Sequence, residues 1–229
     1  MTDILREGAR VYAVTLEDRL VCLDSNTGKE IWSFPSGFVK DQFRFNSAPA
    51  AASGRVYFGG LNGTLYALDA RSGRVIWKKD LGARISTSLL LLGDSLFLGT
   101  SAGRLYRLEA KSGVVSGELS AEEPQGHIVA WGNQFFAFLG EKTVACLDAG
   151  LKKVLWKQTS AFPWSSARPF VWNDTLVVGN DHGELFGFRV TDGVTSWSAK
   201  FEGTIRGVGG SPDTLYIGCL NGTVYAWKP

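Results

Sequence analysis

The stretch that decides the fold is Gly54–Leu81, GRVYFGGLNGTLYALDARSGRVIWKKDL. It predicts three short strands, Arg55–Gly59, Thr64–Asp69 and Arg74–Lys78, because each is rich in β-branched and aromatic residues and turn residues separate them. The pair Asn62-Gly63 is typical of a type I′ hairpin, in which both central residues need positive φ. A sheet of this size cannot bury both of its own faces, so the sequence predicts neighbouring copies.

Copies of this unit recur along the chain with a period of about 40 residues. The glycine that follows the first hairpin strand returns at Gly63, Gly103, Gly183 and Gly222. One further strand is predicted before each copy, at Ala48–Ala52, Thr87–Leu92, Ile128–Trp131, Pro169–Trp172 and Ile205–Gly209. Each repeat therefore has four antiparallel strands, which we label A to D in chain order. Repeats of this kind are typical of propeller blades.

We predict an all-β fold, a β-propeller of four-stranded antiparallel blades with six blades, in a single domain over residues 1–229. The approximate repeats are residues 1–34, 48–81, 87–119, 127–159, 168–201 and 205–229. Closure of the ring has three alternatives. The segment Thr2–Arg6 completes the sixth blade, or it is the A strand of the first blade and leaves the sixth with three strands, or the chain is part of a longer propeller.

Composition excludes several classes of function. The formal net charge is +2, with no basic or acidic run, so we expect no nucleic-acid partner. No apolar run is long enough to cross a bilayer, and Met1–Gly8 has no apolar core of a secretory signal. The cysteines Cys22, Cys146 and Cys219 are dispersed, and we expect buried free thiols.

The segment Ala67–Trp77, ALDARSGRVIW, resembles the A-x-D-x-x-T-G-x-x-x-W repeat of the pyrroloquinoline-quinone (PQQ) propellers. Leu23–Trp32, LDSNTGKEIW, matches the same motif, whereas the third repeat has Gly117 in place of the tryptophan. We expect the tryptophan of each outer D strand to pack against glycine and alanine backbone of the next blade. We expect the aspartate to accept backbone N–H groups in the following turn.

The resemblance to quinoprotein dehydrogenases implies PQQ, a Ca²⁺ ion with carboxylate and amide ligands, a catalytic aspartate and vicinal cysteines. The sequence has no adjacent cysteine pair and no evident cluster of carboxylates, and it lacks the common hydrolase, nucleotide and zinc motifs. Of the two histidines, His182 lies in the predicted B–C hairpin of the fifth blade, where we interpret it as a turn residue. We therefore predict no catalytic, cofactor-binding or metal-binding residues, no cofactor and no enzyme activity.

The repeat also resembles the non-enzymatic branch of the family, the BamB-type subunit of outer-membrane assembly. That resemblance implies a rigid scaffold for protein–protein interaction, located in the periplasm or at the cell surface, with a cytoplasmic location as the alternative. The alternatives are a PQQ-dependent dehydrogenase and a ligand-sensing propeller domain of a larger bacterial signalling protein. We expect a monomer with a protein or peptide partner.

The partner surface is predicted at the connections between each D strand and the next A strand, which emerge beside the B–C hairpins. Exposed aromatic residues beside cations are typical of interface hot spots. The long connection after the first blade offers Phe38, Lys40, Phe43, Arg44 and Phe45, and the connection before the fifth blade offers Phe162, Trp164 and Arg168.

Cationic or potentially cationic side chains recur near the inner strand of five blades. Arg44 and Arg84 align in the repeats, and His127, Arg168 and Arg206 lie within four positions of that point. Our hypothesis is a basic funnel for an acidic peptide or a small anionic ligand. The alternative is that arginine simply favours a solvated strand edge.

Overall fold

The computed structural model describes residues 4–15, 19–35, 48–164 and 167–229, and strands are the only regular structure in these ranges. The chain divides into two compact units, Met1–Pro124 and Gln125–Pro229. Within the described ranges, there is no helix of the length and hydrophobicity that a membrane span requires.

The first unit holds three antiparallel sheets of four strands, in which spatial order follows chain order. The first sheet consists of β1 (Leu5–Glu7), β2 (Arg10–Val14), β3 (Leu20–Asp24) and β4 (Glu30–Phe34). The second consists of β5 (Ala50–Ala52), β6 (Arg55–Gly59), β7 (Thr64–Asp69) and β8 (Val75–Asp80). The third consists of β9 (Leu90–Leu92), β10 (Ser95–Thr100), β11 (Arg104–Glu109) and β12 (Val115–Ser120).

The second unit holds two sheets of four strands and one of three. The fourth sheet consists of β13 (Pro124–Trp131), β14 (Gln134–Leu139), β15 (Thr143–Asp148) and β16 (Val154–Thr159). The fifth consists of β17 (Phe170–Trp172), β18 (Thr175–Gly179), β19 (Glu184–Arg189) and β20 (Thr195–Lys200). The sixth consists of β21 (Ile205–Ser211), β22 (Thr214–Cys219) and β23 (Val224–Trp227). These six meanders have the form of propeller blades, as the repeats predict.

The N-terminal strand corrects one of our alternatives. Leu5, Arg6 and Glu7 of β1 pair with Tyr12, Val11 and Arg10 of β2. The segment is therefore the A strand of the first blade and does not complete the sixth. The sixth sheet accordingly has three strands in the described part of the chain.

The B and C strands carry the cores of both units. In the first unit Val56, Phe58 and Leu68 are almost fully buried, and they pack with Tyr12 and Leu20 of the first sheet. In the second unit Leu176, Val178 and Phe188 pack with Phe136 and Val144. The D strands are the most exposed, since β8 has one half-buried residue, Trp77, among five exposed ones. Burial therefore falls from the middle of each sheet to its D edge.

The hairpin chemistry differs from our prediction in one respect. In the B–C hairpin Gly63 has φ +83° and donates its N–H to Gly60 O at 3.1 Å, while Asn62 is not among the residues with positive φ. This is the three-residue hairpin that combines a type I turn with a left-handed glycine. The prediction of a type I′ turn at Asn62-Gly63 is wrong. Two positive φ values in succession occur instead in the A–B turn, at Ser53 (52°) and Gly54 (74°).

The start of the third blade also differs. We predicted a strand from Thr87, but β9 begins at Leu90. The Thr87 side chain is buried, and its Oγ1 accepts a hydrogen bond from the Gly99 N–H at 2.8 Å. A side-chain oxygen thus replaces a backbone carbonyl as the acceptor beside Gly99.

The missing tryptophan of the third blade has a structural counterpart. In four blades a small C-strand residue pairs directly with the D-strand tryptophan, as Ala67 pairs with Trp77. In the third blade Arg107 pairs with Gly117, so the large and small residues are exchanged between the strands. The pair keeps one large side chain because two would compete for the same space above adjacent strands.

Candidate functional site

The B–C hairpins and the D–A connections lie at the same end of each sheet, which we call the loop end. In the first unit the Leu81 N–H donates to Gly63 O at 3.0 Å, and a Cβ on Gly63 would lie 2.8 Å from Ala83 O. In the second unit the Phe201 N–H donates to Gly183 O at 2.8 Å. The backbones meet so closely because both glycines lack Cβ and adopt positive φ. The predicted grouping of hairpins and connections is confirmed within each unit.

Half of the predicted partner residues lie in the connection after the first blade. Phe38, Lys40, Phe43, Arg44 and Phe45 are outside the described residues. Their assignment to a partner surface stays a prediction.

Phe162 forms part of the loop end of the second unit. Its ring stacks on the imidazole of His182, with centroids 3.6 Å apart and an interplanar angle of 14°. His182 is held in its hairpin because its N–H donates to Asn180 Oδ1 at 3.0 Å. The interpretation of His182 as a turn residue is confirmed. The stacked pair presents a flat, half-apolar surface at this end of the sheet.

Trp164 is the clearest departure from our prediction. We expected an exposed aromatic residue, but only 8% of Trp164 is accessible to solvent. Its ring meets those of Phe186 and Phe188 edge-on, at 5.7 and 6.1 Å between centroids. The expectation of exposure is wrong because the aromatic side chains of the fifth blade cover the indole. A direct contact between Trp164 and a partner stays a prediction, and it requires the indole to become accessible.

The arginines and the histidine predicted for the basic funnel are in different environments. The Arg84 guanidinium lies 3.1 Å from Glu123 Oε1, and both side chains are about half exposed. Arg168 and Arg206 are exposed, and His127 is half-buried. Glu123 compensates the charge of Arg84, so the first unit offers less positive potential here than the sequence suggested. An exposed pair of this kind contributes only about 0–1 kcal/mol to stability.

Two lysines at the loop end were missed by the sequence analysis. Lys142 Nζ donates to Ala161 O at 3.0 Å, which ties the B–C hairpin of the fourth blade to the following connection. Lys200 donates to the carbonyl oxygen of His182. Their position in the sequence could have identified them. Lys142 lies in the hairpin directly before β15, and Lys200 ends β20 directly before the next D–A connection. Their hydrogen bonds to carbonyl oxygens hold the loops in place and leave part of the positive charge exposed.

The described residues offer no carboxylate cluster of the kind that the quinoprotein resemblance implies. No group of three or more His, Cys, Asp or Glu side chains in the described ranges lies close enough to hold a metal ion. Burial raises the pKa of the Cys146 thiol to about 12, and burial raises the pKa values of Cys22 and Cys219 as well. All three cysteines are buried free thiols, as predicted.

These blades and their repeated contacts define a PQQ-like repeat β-propeller. A family model described as outer membrane protein assembly factor BamB matches residues 5–198, and the chain belongs to that family. Outer membrane protein assembly factor BamB from Yersinia pestis is 26% identical over 93% of the chain, which spans 57% of that protein's length. Quinoprotein alcohol dehydrogenase PedH from Pseudomonas putida is 23% identical over 85% of the chain, which spans 37% of that enzyme.

Solved structures show the same fold. BamB from Moraxella catarrhalis superimposes with a TM-score of 0.80 at 18% identity, over 98% of this chain and 71% of that one. The computationally designed protein Ika8 superimposes with a TM-score of 0.85 at 13% identity, over the whole of this chain and 70% of that one. At these identities the likeness establishes the propeller fold and no function.

Proposed function

We propose that the protein is a non-catalytic binding propeller that takes part in outer-membrane protein assembly and contacts a protein or peptide partner through its loop end. The observation that carries this proposal is the match of residues 5–198 to the BamB family. The relatives from Yersinia pestis and Salmonella typhimurium, each 26% identical, carry the same name. We further propose that all repeats form one domain that works as a monomer in the periplasm or at the cell surface.

The loop end of the second unit suits a partner surface. Phe162 and His182 form a stacked pair there, and exposed Arg168 lies close to Phe162 in sequence. Arg206 is exposed at the start of β21. Aromatic and arginine side chains are the residue types most enriched in binding hot spots. Loops fixed by hydrogen bonds to a rigid sheet also lose little entropy when a partner binds.

An assembly assay tests the proposal. The chain is exported to the periplasm of a Gram-negative strain that lacks its own BamB, and folded outer-membrane porin is measured by its heat-modifiable mobility in gels. We expect the chain to raise the level of folded porin. The variant R168A/R206A is expected to restore less, because two exposed cations of the proposed surface are removed.

The matched control is K152A/K153A, which removes two exposed positive charges from the turn between β15 and β16, at the opposite end of the fourth blade. It should behave like the wild type. If both double variants restore porin equally, the loop end is not the partner surface. If folded, exported wild-type chain restores none, the assembly role itself fails.

A quinoprotein role is the second candidate, because PedH and a quinoprotein ethanol dehydrogenase are 23% and 25% identical to the chain. The purified protein is incubated with PQQ and Ca²⁺, and dye-linked oxidation of ethanol and butanol is followed. We expect neither tight PQQ binding nor turnover. Turnover above that of a PQQ blank would replace the scaffold proposal with an enzymatic one.

A further inference from the structure

A cavity of about 470 Å³ lies between the second and third sheets of the first unit. It opens at the end of the sheets that carries the A–B and C–D turns, opposite the loop end. The charged side chains of its lining are Arg55, Asp94, Arg107, Glu109 and Lys111, and its hydroxyl groups come from Tyr57, Ser53, Ser95 and Ser116. Its volume falls in the range of sites for small molecules.

The walls of the cavity are set by the blade geometry. Ser53 and Gly93 line it within tight A–B turns of positive φ, so little side chain intrudes from either sheet. On the outer side the Trp77 indole N–H donates to Ala110 O at 3.1 Å and fixes the second blade to the third. The cavity is therefore a property of the folded blade pair, held open by backbone and a hydrogen-bonded indole.

The lining has more positive than negative charge. Three lining side chains are positively charged (Arg55, Arg107 and Lys111), and two are negatively charged (Asp94 and Glu109). In the described part of the chain Arg55 has no carboxylate within ion-pair distance, and its buried Nε has no hydrogen-bond partner. Glu109 is engaged elsewhere, because its Oε2 accepts a hydrogen bond from Ser112 Oγ at 2.8 Å.

Tyr57 connects the arginine to the cavity. Only 2% of Tyr57 is exposed, and burial raises the pKa of its hydroxyl, whereas the nearby charge of Arg55 lowers it. The hydroxyl thus stays protonated near neutral pH. A protonated hydroxyl can donate its O–H to an acceptor in the cavity.

We propose that this cavity binds a carboxylate group, with the Arg55 guanidinium as its counterion and the Tyr57 hydroxyl as a second donor. A guanidinium matches a carboxylate in shape and charge, because its planar N–H groups can donate two parallel hydrogen bonds to the two oxygens. The carboxylate belongs either to a free small molecule or to an acidic side chain of a peptide. The site is independent of the proposed partner surface, because it lies at the other end of the sheets.

The first blade supplies a matched control. Arg10 begins β2 as Arg55 begins β6, and each pairs across the sheet with an aspartate, Asp24 or Asp69. The Nε of Arg10 is also buried without a hydrogen-bond partner, but Arg10 does not line this cavity. An effect of added carboxylate on Arg55 that is absent at Arg10 therefore indicates binding in the cavity and not a general property of arginines with a buried Nε.

The test is a titration of the protein, labelled with ¹⁵N-arginine, followed through the arginine Nε–H signals. The probes are acetate, glutamate and a capped Ala-Glu-Ala peptide, added at constant ionic strength with chloride as the balancing anion. We expect the signal that disappears in R55Q to shift and saturate, and the signal that disappears in R10Q to stay. Tighter binding of the peptide than of glutamate assigns the site to peptides, and the reverse order assigns it to free small molecules.

R55Q is expected to weaken binding about tenfold or more, because a charge-assisted hydrogen bond is lost. R10Q should bind like the wild type, and R55K should retain part of the affinity. If R55Q does not fold, K111A replaces it and is expected to weaken binding severalfold. Equal, non-saturating shifts at Arg10 and Arg55, or unchanged affinity in R55Q or K111A, would overturn the proposal.

Discussion

At the residue scale the repeated tryptophan joins neighbouring blades within each unit. The indole N–H groups of three D-strand tryptophans donate to backbone carbonyl oxygens of the next blade, from Trp32 to Ala70 at 3.0 Å, from Trp77 to Ala110 at 3.1 Å and from Trp156 to Val190 at 2.9 Å. Each ring also lies on a turn glycine, namely Gly73, Gly113 or Gly193. The predicted packing on glycine and backbone is confirmed in these three blades.

The glycine under the indole should be the most sensitive position of this contact. A Cβ on Gly113 would lie 2.8 Å from Trp77 Cε3, and Gly113 has φ +71°. Gly82 has φ +72° and no heavy atom within 4 Å of an added Cβ, so G82A is destabilised only by the backbone strain of a positive φ. We expect G113A to cost about 1–3 kcal/mol more than G82A in urea unfolding, because it overpacks the ring contact. Equal losses of unfolding free energy in G113A and G82A would show that the indole moves away from the added methyl group without a loss of stability.

The turn aspartates make stability depend on pH. Hydrogen bonds from the Ser72 side chain and N–H lower the pKa of Asp69, and those from Thr27 lower the pKa of Asp24. The folded pKa lies below the unfolded value of about 3.9, so this stabilisation is present above that value and is lost as pH falls through the folded pKa.

The variant D69N should remove part of this pH dependence. In urea unfolding between about pH 2 and pH 6, wild type and D69N should differ most above pH 5 and converge in acid. E122Q is the control, since Glu122 is an exposed carboxylate without a hydrogen bond or ion pair to the described residues. A difference in unfolding free energy between wild type and D69N that is the same at all pH values would contradict this. It would show that the aspartate stabilises the turn through its shape and not through its charge.

At the scale of the strand, the sixth sheet differs from the other five. β23 aligns with β7 in the repeat, but β7 pairs with β8 on its outer side, whereas in the described chain β23 pairs only with β22. Val224 is 71% exposed at this edge. An unpaired edge exposes a row of N–H and C=O groups to water.

Hydrogen exchange should distinguish these two C strands. We expect amides of Val224–Trp227 to exchange faster than those of Thr64–Asp69, because only one side of β23 is hydrogen-bonded within the described residues. Exchange read by mass spectrometry on overlapping peptides resolves the two strands. Equal protection would mean that another segment covers the edge of β23.

At the scale of the molecule, the same blade is repeated while the loop ends differ. Each unit has its own buried clusters, and charges are distributed over the surface with a formal net of +2. Such a surface gives weak non-specific attraction, so a specific partner has to be recognised by local features. In the proposed function the two units are the scaffold, and the connections between blades carry the specificity for the partner.

We expect the purified protein to sediment as a monomer of 24.9 kDa. The exposed edge of β23 is the element most able to pair two copies, so the measurement is repeated over a hundredfold range of concentration. V224K, which places a charge on that edge, is the control variant. A dimer in the wild type that is absent in V224K would contradict the monomer and assign the contact to β23.

The strands of the second blade could be predicted closely because local sequence decides them. The ends of Arg55–Gly59 and Thr64–Asp69 agree with β6 and β7, since glycine and aspartate turns bound both. The burial of Trp164 could not be predicted, because Phe186 and Phe188, which cover it, are more than 20 residues away in the chain. The ion pair between Arg84 and Glu123 could not be predicted for the same reason, because 39 residues separate the two in the chain.

The sequence by itself determined the repeat, the strand order within each blade and the family, because these follow from periodic strand formers, turn glycines and the D-strand tryptophan. Only the tertiary structure decided which side chains are accessible, where charges are compensated and that a cavity opens between the second and third blades. The physical reason is that strands and turns depend on neighbours along the chain. Burial, ion pairing and empty volume depend on neighbours in space, which the fold brings together from different repeats.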